Sequence, residues 1–106
     1  MIRKHATVRN AAGIHCRPSA VIVTEALAYA GEAWVECEAG KANLRSILEL
    51  VSLGLMEHAQ VVVCVQGRGE KAFCARLVEL FERHFDFPQL TETDKSKAVP
   101  ALMEER

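Results

Sequence analysis

Residues 60–66 read Gln-Val-Val-Val-Cys-Val-Gln, which is the most strongly strand-like segment of the chain. Valine favours extended structure, and an unbroken apolar run of this length is typical of a strand at a central position in a sheet. The segment therefore predicts an interior strand of a β-sheet, around which the rest of the chain can be arranged.

A turn and a long helix follow this strand. Gly67-Arg68-Gly69 predicts a tight turn, because its Gly-x-Gly spacing is too short to be a nucleotide-binding fingerprint. Residues 70–85 then predict an amphipathic helix. Its apolar stripe consists of Phe73, Leu77, Leu80, Phe81 and Phe85.

Strands and helices also alternate before residue 60. Strands are predicted at residues 2–9, 33–38 and 41–44. A helix from Cys16 to about Ala30, which Gly31 would end, is predicted from the apolar stripe of Ala20, Val23, Leu27 and Ala30.

Ser46 is suited to cap the N-terminus of a further, short helix that Gly54 would close. This helix carries Ile47, Leu48, Leu50 and Val51. The element order is therefore β-α-β-β-α-β-α.

Length and composition predict one small domain. The chain has 106 residues, half of them apolar, which allows a modest core without disulfides or metals. The composition changes near Pro88. We therefore expect a folded domain at residues 1–87 and a flexible or weakly structured tail at residues 88–106, for which the sequence suggests no function.

The charge balance narrows the classes of partner. The net charge is −1, and residues 1–87 carry ten Lys and Arg against ten Asp and Glu. Nucleic acid is an unsuitable partner, because binding to its phosphates needs a basic excess. No apolar run approaches the roughly 20 residues that span a bilayer, and the N-terminus lacks a signal peptide's apolar core. We expect no membrane insertion.

The four cysteines are Cys16, Cys37, Cys64 and Cys74, and none belongs to a C-x-x-C pair. A zinc site or a thioredoxin-like redox motif is therefore not expected, and the sequence indicates no metal. We interpret the last three as small core residues. A reducing, cytoplasmic setting fits this cysteine usage best.

The chemistry is concentrated in residues 13–20, Gly-Ile-His-Cys-Arg-Pro-Ser-Ala, hereafter the octet. The octet places His15 at a predicted helix start, where unpaired N–H groups and the positive end of the helix dipole favour anions. Pro18 suits the first helical turn, and the Arg17 guanidinium suits phosphate oxygens. His15 is therefore a candidate phosphoryl acceptor.

The octet, its position and the element order resemble the HPr family, the histidine-containing phosphocarriers of the bacterial phosphotransferase system. The family pattern Gly-[Leu/Ile/Met]-His-[Ala/Thr]-Arg-Pro-[Ala/Ser] is matched by Gly13, Ile14, His15, Arg17, Pro18 and Ser19. A second segment, Asn43 to Gly54, resembles the family's regulatory-serine region. The resemblance implies an α+β, open-faced β-sandwich: a four-stranded antiparallel sheet of order 1-4-2-3 with three helices on one face.

The resemblance also implies a function. Enzyme I, phosphorylated by phosphoenolpyruvate, would pass its phosphoryl group to Nδ1 of His15, and His15 would pass it to a IIA domain. Arg17 would stabilise the phosphate. Such a protein is a carrier that needs no cofactor, not a stand-alone enzyme, and we expect a monomer. A hydrolase is disfavoured because His15 has no Ser or Cys nucleophile with an Asp orienter at recognisable spacing.

Ser46 and the residues after it have two interpretations each. Ser46 is either a plain helix cap or a phosphoserine site, which the family implies for HPr kinase/phosphorylase; the adjacent Arg45 and Lys41 would then tolerate the added charge. Ile47, Leu48 and Val51 could be core, but the resemblance favours a docking patch for partners, above all at Ile47 and Leu48.

Cys16 and the branch of the family to which the chain belongs each allow two interpretations. Cys16 replaces the usual Ala or Thr, either as a size-matched substitute or as an oxidisable thiol; the redox interpretation predicts that peroxide blocks phosphorylation of the parent protein but not of Cys16→Ala. The chain could also be a regulatory binding module of the nitrogen or catabolite-repression type that docks onto a transcriptional regulator, because residues 80–86 faintly resemble the nitrogen branch. His5, His58 and His84 lack any functional context.

Overall fold

The structure is a computed structural model that describes residues 1–14 and 16–84. His15 and residues 85–106 lie outside the described residues, and so do the predictions for Phe85 and for the tail at 88–106. The prediction that the last helix runs to residue 85 was wrong, because the helix ends at Phe81, Glu82 is its C-cap and residues 83 and 84 are not helical. For Cys16 only the backbone is described.

The described elements follow the predicted order. They are β1 (Ile2–Thr7), α1 (Cys16–Ala28), β2 (Glu32–Cys37), β3 (Gly40–Asn43), α2 (Ile47–Ser52), β4 (Gln60–Gln66) and α3 (Glu70–Phe81). The strands form one antiparallel sheet of order β1-β4-β2-β3, with the three helices on one face. The predicted fold class is confirmed.

β4 is the interior strand that its sequence predicts. It pairs with β1, with Lys4 opposite Val63, and with β2, where Val35 also lies opposite Val63. Val61, Val63 and Val65 point into the core and are at most 1% exposed. Val62 and Cys64 alternate with these residues and so lie on the other face of the sheet, where Val62 is half-buried and Cys64 is buried although the helices cover only one face.

α1 buries a different face from the predicted one. Ala20, Leu27 and Ala30 are exposed, and of the predicted stripe only Val23 is buried, together with Ile22 and Ala26. The prediction was wrong because α1 is apolar on two adjacent faces, and both satisfy the helical spacing. The contacts of α1 with α2 and α3 select the face that is buried.

Two other boundaries differ for identifiable reasons. β1 stops at Thr7 instead of residue 9, because Val8 exchanges hydrogen bonds with Ala59 and His58 outside the regular ladder. α1 ends at Ala28, and Gly31 is not its left-handed stop. A Cβ at Gly31 would collide with the carbonyl oxygen of Gln66, so this glycine permits a close approach of two chain segments.

α3 packs its predicted stripe against the sheet. Leu77, Leu80 and Phe81 are fully buried, and Cys74 is buried with them. Phe73 lies at the edge of the core and stacks on Tyr29, with ring centroids 4.2 Å apart. This contact joins the start of α3 to the residue after α1.

Candidate functional site

The octet is reached through a turn that its own hydrogen bonds close. Asn10 Nδ2 donates to the carbonyl oxygen of Gly13 over 2.8 Å. In return, the Gly13 N–H donates to the carbonyl oxygen of Asn10, also over 2.8 Å. Asn10 is completely buried, so both bonds are shielded from water. The backbone that leads into the octet is therefore closely constrained.

The first two residues of the octet also contact the segment that follows α2. The Ile14 N–H donates to the carbonyl oxygen of Leu55 over 2.8 Å, and Ile14 is only 3% exposed. Gly13 has a φ of 77°, and a Cβ there would collide with the Leu55 carbonyl oxygen. Gly13 is thus required both for its backbone conformation and for this contact.

α1 begins at Cys16, directly after His15 in the sequence, as predicted. Pro18 is buried in the first turn, whereas Arg17 is exposed. The first turn carries no acidic residue that would oppose an incoming anion. His15 and the Cys16 side chain lie outside what the structure describes, so their predicted roles stay predictions.

α2 presents apolar side chains on its outer side. Ile47, Leu48 and Val51 are 43%, 75% and 38% exposed, respectively, whereas Leu50 is fully buried. Of the two interpretations of the first three residues, the structure excludes a buried core position. These three residues are called the α2 patch below. An exposed cluster of this kind is more typical of a binding surface than of a structural feature.

The α2 patch and the octet are close through the chain itself. Leu55, which accepts the Ile14 N–H, lies four residues after Val51. Four residues span at most about 14 Å even when fully extended. A single partner surface can therefore cover both.

Ser46 is the N-cap of α2, as predicted. Its Oγ accepts the N–H of Glu49 over 3.2 Å, and the Glu49 carboxylate accepts the N–H of Asn43 over 2.9 Å. The neighbouring cations point elsewhere. Arg45 donates to the carbonyl oxygens of Tyr29 and Gly31, and the Lys41 ammonium lies 5.6 Å from the centre of the Trp34 ring.

The remaining cysteines belong to the protein interior or its edge. Cys64 and Cys74 are fully buried, and burial raises the pKa of both thiols, so they stay protonated and unreactive. Cys37 is half-buried at the end of β2. The interpretation as a small core residue holds for Cys74, which packs in the core cluster, whereas Cys64 is buried outside that cluster and Cys37 is only partly buried against it.

The other histidines are exposed and separate. His5, His58 and His84 are all on the surface. Among the described residues, no three His, Cys, Asp or Glu side chains lie close enough together to hold a metal ion. Within the same part of the chain, no helix is long and apolar enough to cross a membrane.

Sequence reasoning missed the two residues that brace the octet. Asn10 was assigned only to a loop, although an asparagine three residues before a glycine is a turn signal that could have marked it. Leu55 carries no such signal. It acts through its backbone carbonyl, so any residue type could serve, and only the folded chain shows the contact.

A comparison with protein families gives a match over most of the chain. Residues 2–83 match the family described as "PTS HPr component phosphorylation site". The matched region includes the octet, α2 and all four strands.

Individual relatives agree with this match. The phosphocarrier protein HPr of Borreliella burgdorferi is 28% identical over 82 residues, which cover 77% of this chain and 95% of the relative. The HPr-like protein Crh of Bacillus subtilis is 30% identical over 77 residues, covering 73% of this chain and 91% of Crh. The crystal structure of HPr-C-His from Thermoanaerobacter tengcongensis superposes with a TM-score of 0.71 at 31% identity, covering 76% of this chain and 91% of that one. The chain therefore belongs to the HPr family of the bacterial phosphotransferase system.

Proposed function

We propose that this protein is a phosphocarrier of the bacterial cytoplasm. It accepts a phosphoryl group from phosphorylated enzyme I on Nδ1 of His15 and passes it to a IIA domain. The observation that carries the proposal is the octet in its setting: a braced turn, then His15, then the start of α1 with an exposed Arg17 and no acidic residue in its first turn.

The chemistry asks little more of the protein than this arrangement. The bond between phosphorus and enzyme I breaks as a P–N bond forms at Nδ1 of His15. In the second step this P–N bond breaks as phosphorus forms a bond to the IIA domain. Neutral imidazole suits both steps, and with an ordinary pKa of about 6.5 most of it is neutral near pH 7. The equatorial phosphoryl oxygens carry the charge, which Arg17 and the N-terminus of α1 are suited to stabilise.

Docking is assigned to the α2 patch. Its three exposed apolar side chains lie in the helix that precedes the octet's brace at Leu55. Burial of such side chains under a partner supplies binding energy without contacting the reacting group. We expect enzyme I and IIA domains to use the patch in turn, with the protein acting as a monomer.

The test is incubation of the protein with enzyme I, Mg²⁺ and phosphoenolpyruvate, followed by intact-mass analysis. A single acid-labile phosphate should form and should be absent from His15→Ala. Mixing the phosphorylated protein with candidate IIA domains should then discharge it. No phosphate on the wild-type chain would refute the carrier function.

A regulatory module is the second candidate function, and the similarity to Crh favours it together with the capping position of Ser46. In this case HPr kinase/phosphorylase with ATP would place an acid-stable phosphate on Ser46. The modified protein would then dock onto a transcriptional regulator. A chain that is inert toward enzyme I but modified at Ser46 would support this function over the carrier.

A further inference from the structure

We propose that Asn10 is a positioning residue for phosphoryl transfer, because its side-chain amide locks the turn that delivers His15. The inference rests on the proposed carrier function and deepens it. Asn10 acts through the backbone of Gly13 and Ile14 and is not itself required to contact the phosphoryl group.

The burial of Asn10 is the first observation. Among the described residues, only Asn10 and Ser19 are buried polar residues, and both are 0% exposed. The two differ in their hydrogen bonds: the Ser19 hydroxyl has no partner within residues 1–14 and 16–84, whereas the Asn10 amide donates to Gly13 over 2.8 Å. A buried amide is costly unless it is satisfied, so this bond stays closed in the folded protein.

The place where the bond ends is the second observation. The Gly13 carbonyl belongs to the peptide unit that joins Gly13 to Ile14, and His15 is the next residue. The other side of this unit is held by the bond from the Ile14 N–H to Leu55. The peptide unit between Gly13 and Ile14 thus has hydrogen bonds at both ends. Its oxygen accepts from Asn10, and its nitrogen donates to the segment after α2.

Holding this peptide unit in one position matters more for the rate of phosphoryl transfer than for the stability of the fold. Reacting atoms must meet at roughly 3–3.5 Å, and a displacement of about 1 Å can slow a reaction about 100-fold. Without the Asn10 amide, the peptide is held at one end only. We therefore expect loss of the amide to lower the rate within the docked complex while docking itself, through the α2 patch, is preserved.

The experiment measures phosphoryl transfer from enzyme I at varied concentrations of the full chain. Asn10→Ala should lower kcat by at least about tenfold, with KM within about twofold of wild type. Asn10→Asp keeps the size but cannot donate when ionised, and it should show the same loss. Leu48→Ala should give the opposite split, a higher KM with little change in kcat.

A control separates positioning from general destabilisation. Val35 is fully buried in β2 and outside the octet, so Val35→Ala weakens the core without touching the turn. While it remains folded by circular dichroism, its kcat and KM should equal those of wild type. A loss of kcat in Val35→Ala as large as in Asn10→Ala would overturn the inference.

A second donor makes the result independent of enzyme I. Phosphoramidate transfers its phosphoryl group to histidine directly and releases ammonia, so no docking is needed. Labelling of His15 should again be slower in both Asn10 variants, and exchange of the Ile14 amide hydrogen should be faster. Unchanged labelling and exchange would refute the role of Asn10, whereas failure of enzyme I alone would refute only the proposed function.

Discussion

Arg17 has an exposed side chain in the first turn of α1, two residues after His15. This position suits contact with a phosphoryl group and contributes nothing to the core. Ser46 also has a structural and a possible chemical role. Its hydroxyl caps α2, and the charges of its neighbours determine how phosphorylation would affect the stability of the fold.

Arg17→Ala should slow transfer far more than it destabilises the fold. Removal of one charge-stabilising donor costs about 100-fold or more in comparable sites, whereas truncation of an exposed side chain changes the free energy of unfolding by no more than about 0.5 kcal/mol. Initial rates of phosphate uptake and urea unfolding check the two parts. Arg17→Lys is the control that keeps the charge. Unchanged transfer, or an unfolded Arg17→Ala variant, would contradict the assignment.

Phosphorylation at Ser46 should be opposed by Glu49. A phosphoserine adds up to two negative charges beside a carboxylate that is already bound to the N–H of Asn43, while Arg45 is engaged with Tyr29 and Gly31. With phosphoserine incorporated during synthesis, the cost in unfolding free energy should be larger by about 0.5 kcal/mol in the parent than in Glu49→Gln. Equal costs in the two backgrounds would refute the repulsion.

At the scale of elements, α2 has apolar residues on two faces, one that packs in the core and one that is available for docking. Leu50 enters the core, whereas the α2 patch faces outward. α1 and α3 are joined by an ion pair as well as by apolar packing: the Arg76 guanidinium contacts the Glu25 carboxylate through Nε at 3.3 Å and Nη2 at 3.0 Å. Each arrangement makes a separate prediction.

Leu48→Ala and Leu50→Ala are chemically identical changes two residues apart. Leu48 is 75% exposed, so its truncation should leave the free energy of unfolding nearly unchanged. It should raise the KM of enzyme I for this protein as substrate. Leu50 is fully buried, so its truncation should cost about 2–5 kcal/mol of unfolding free energy. Urea unfolding and transfer kinetics measured on both variants check the pair. A large stability loss in Leu48→Ala would disprove the outward orientation.

The Glu25–Arg76 pair should stabilise the fold only above acidic pH. The hydrogen bonds from Arg76 lower the pKa of Glu25 below its ordinary value of 4.5. Because the folded-state pKa is the lower one, the contribution is complete above pH 4.5 and is lost as the pH falls through the folded-state value. Both side chains are about one-third exposed, so solvent screening keeps this contribution small.

The measurement is urea unfolding of the wild type and of Glu25→Gln across acidic and neutral pH. Glu25→Gln should be less stable at pH 7, and the difference should shrink progressively below pH 4.5. Glu38→Gln, which alters an exposed carboxylate between β2 and β3, serves as the control. A difference that stays constant down to pH 3 would show that charge at Glu25 does not contribute.

At the scale of the whole molecule, one layer of helices covers one sheet, and a single core runs between them. The matched region ends at residue 83, and HPr of Borreliella burgdorferi is 95% covered by the residues that align with it. The similarity to the family therefore does not involve the last part of this chain.

Removal of residues 88–106 should leave the domain intact. We expect a chain that ends at residue 87 to have the same unfolding free energy as the full protein, within about 0.5 kcal/mol. It should also accept phosphate from enzyme I at the same rate. Urea unfolding and the intact-mass assay compare the two chains, and a marked loss of either property would assign these residues a role in the fold or the site.

The sequence by itself determined the features that depend on local chemistry. The valine run of β4, the Ser46 cap and the Pro18 turn each identify their element, because extended propensity, capping and the fixed φ of proline act within a few residues. The octet indicated phosphate chemistry for the same reason: the residue types that the chemistry needs are adjacent in the chain.

Only the tertiary structure decided which surfaces meet. α1 has two apolar faces of helical spacing, and its contacts with α2 and α3 buried Ile22 and Ala26 instead of Ala20 and Leu27. The exposure of the α2 patch and the hydrogen bond from Ile14 to the Leu55 carbonyl likewise depend on how segments distant in sequence pack together. Burial is a property of the pair of surfaces that come together, so a pattern within one segment can offer a face but cannot select it.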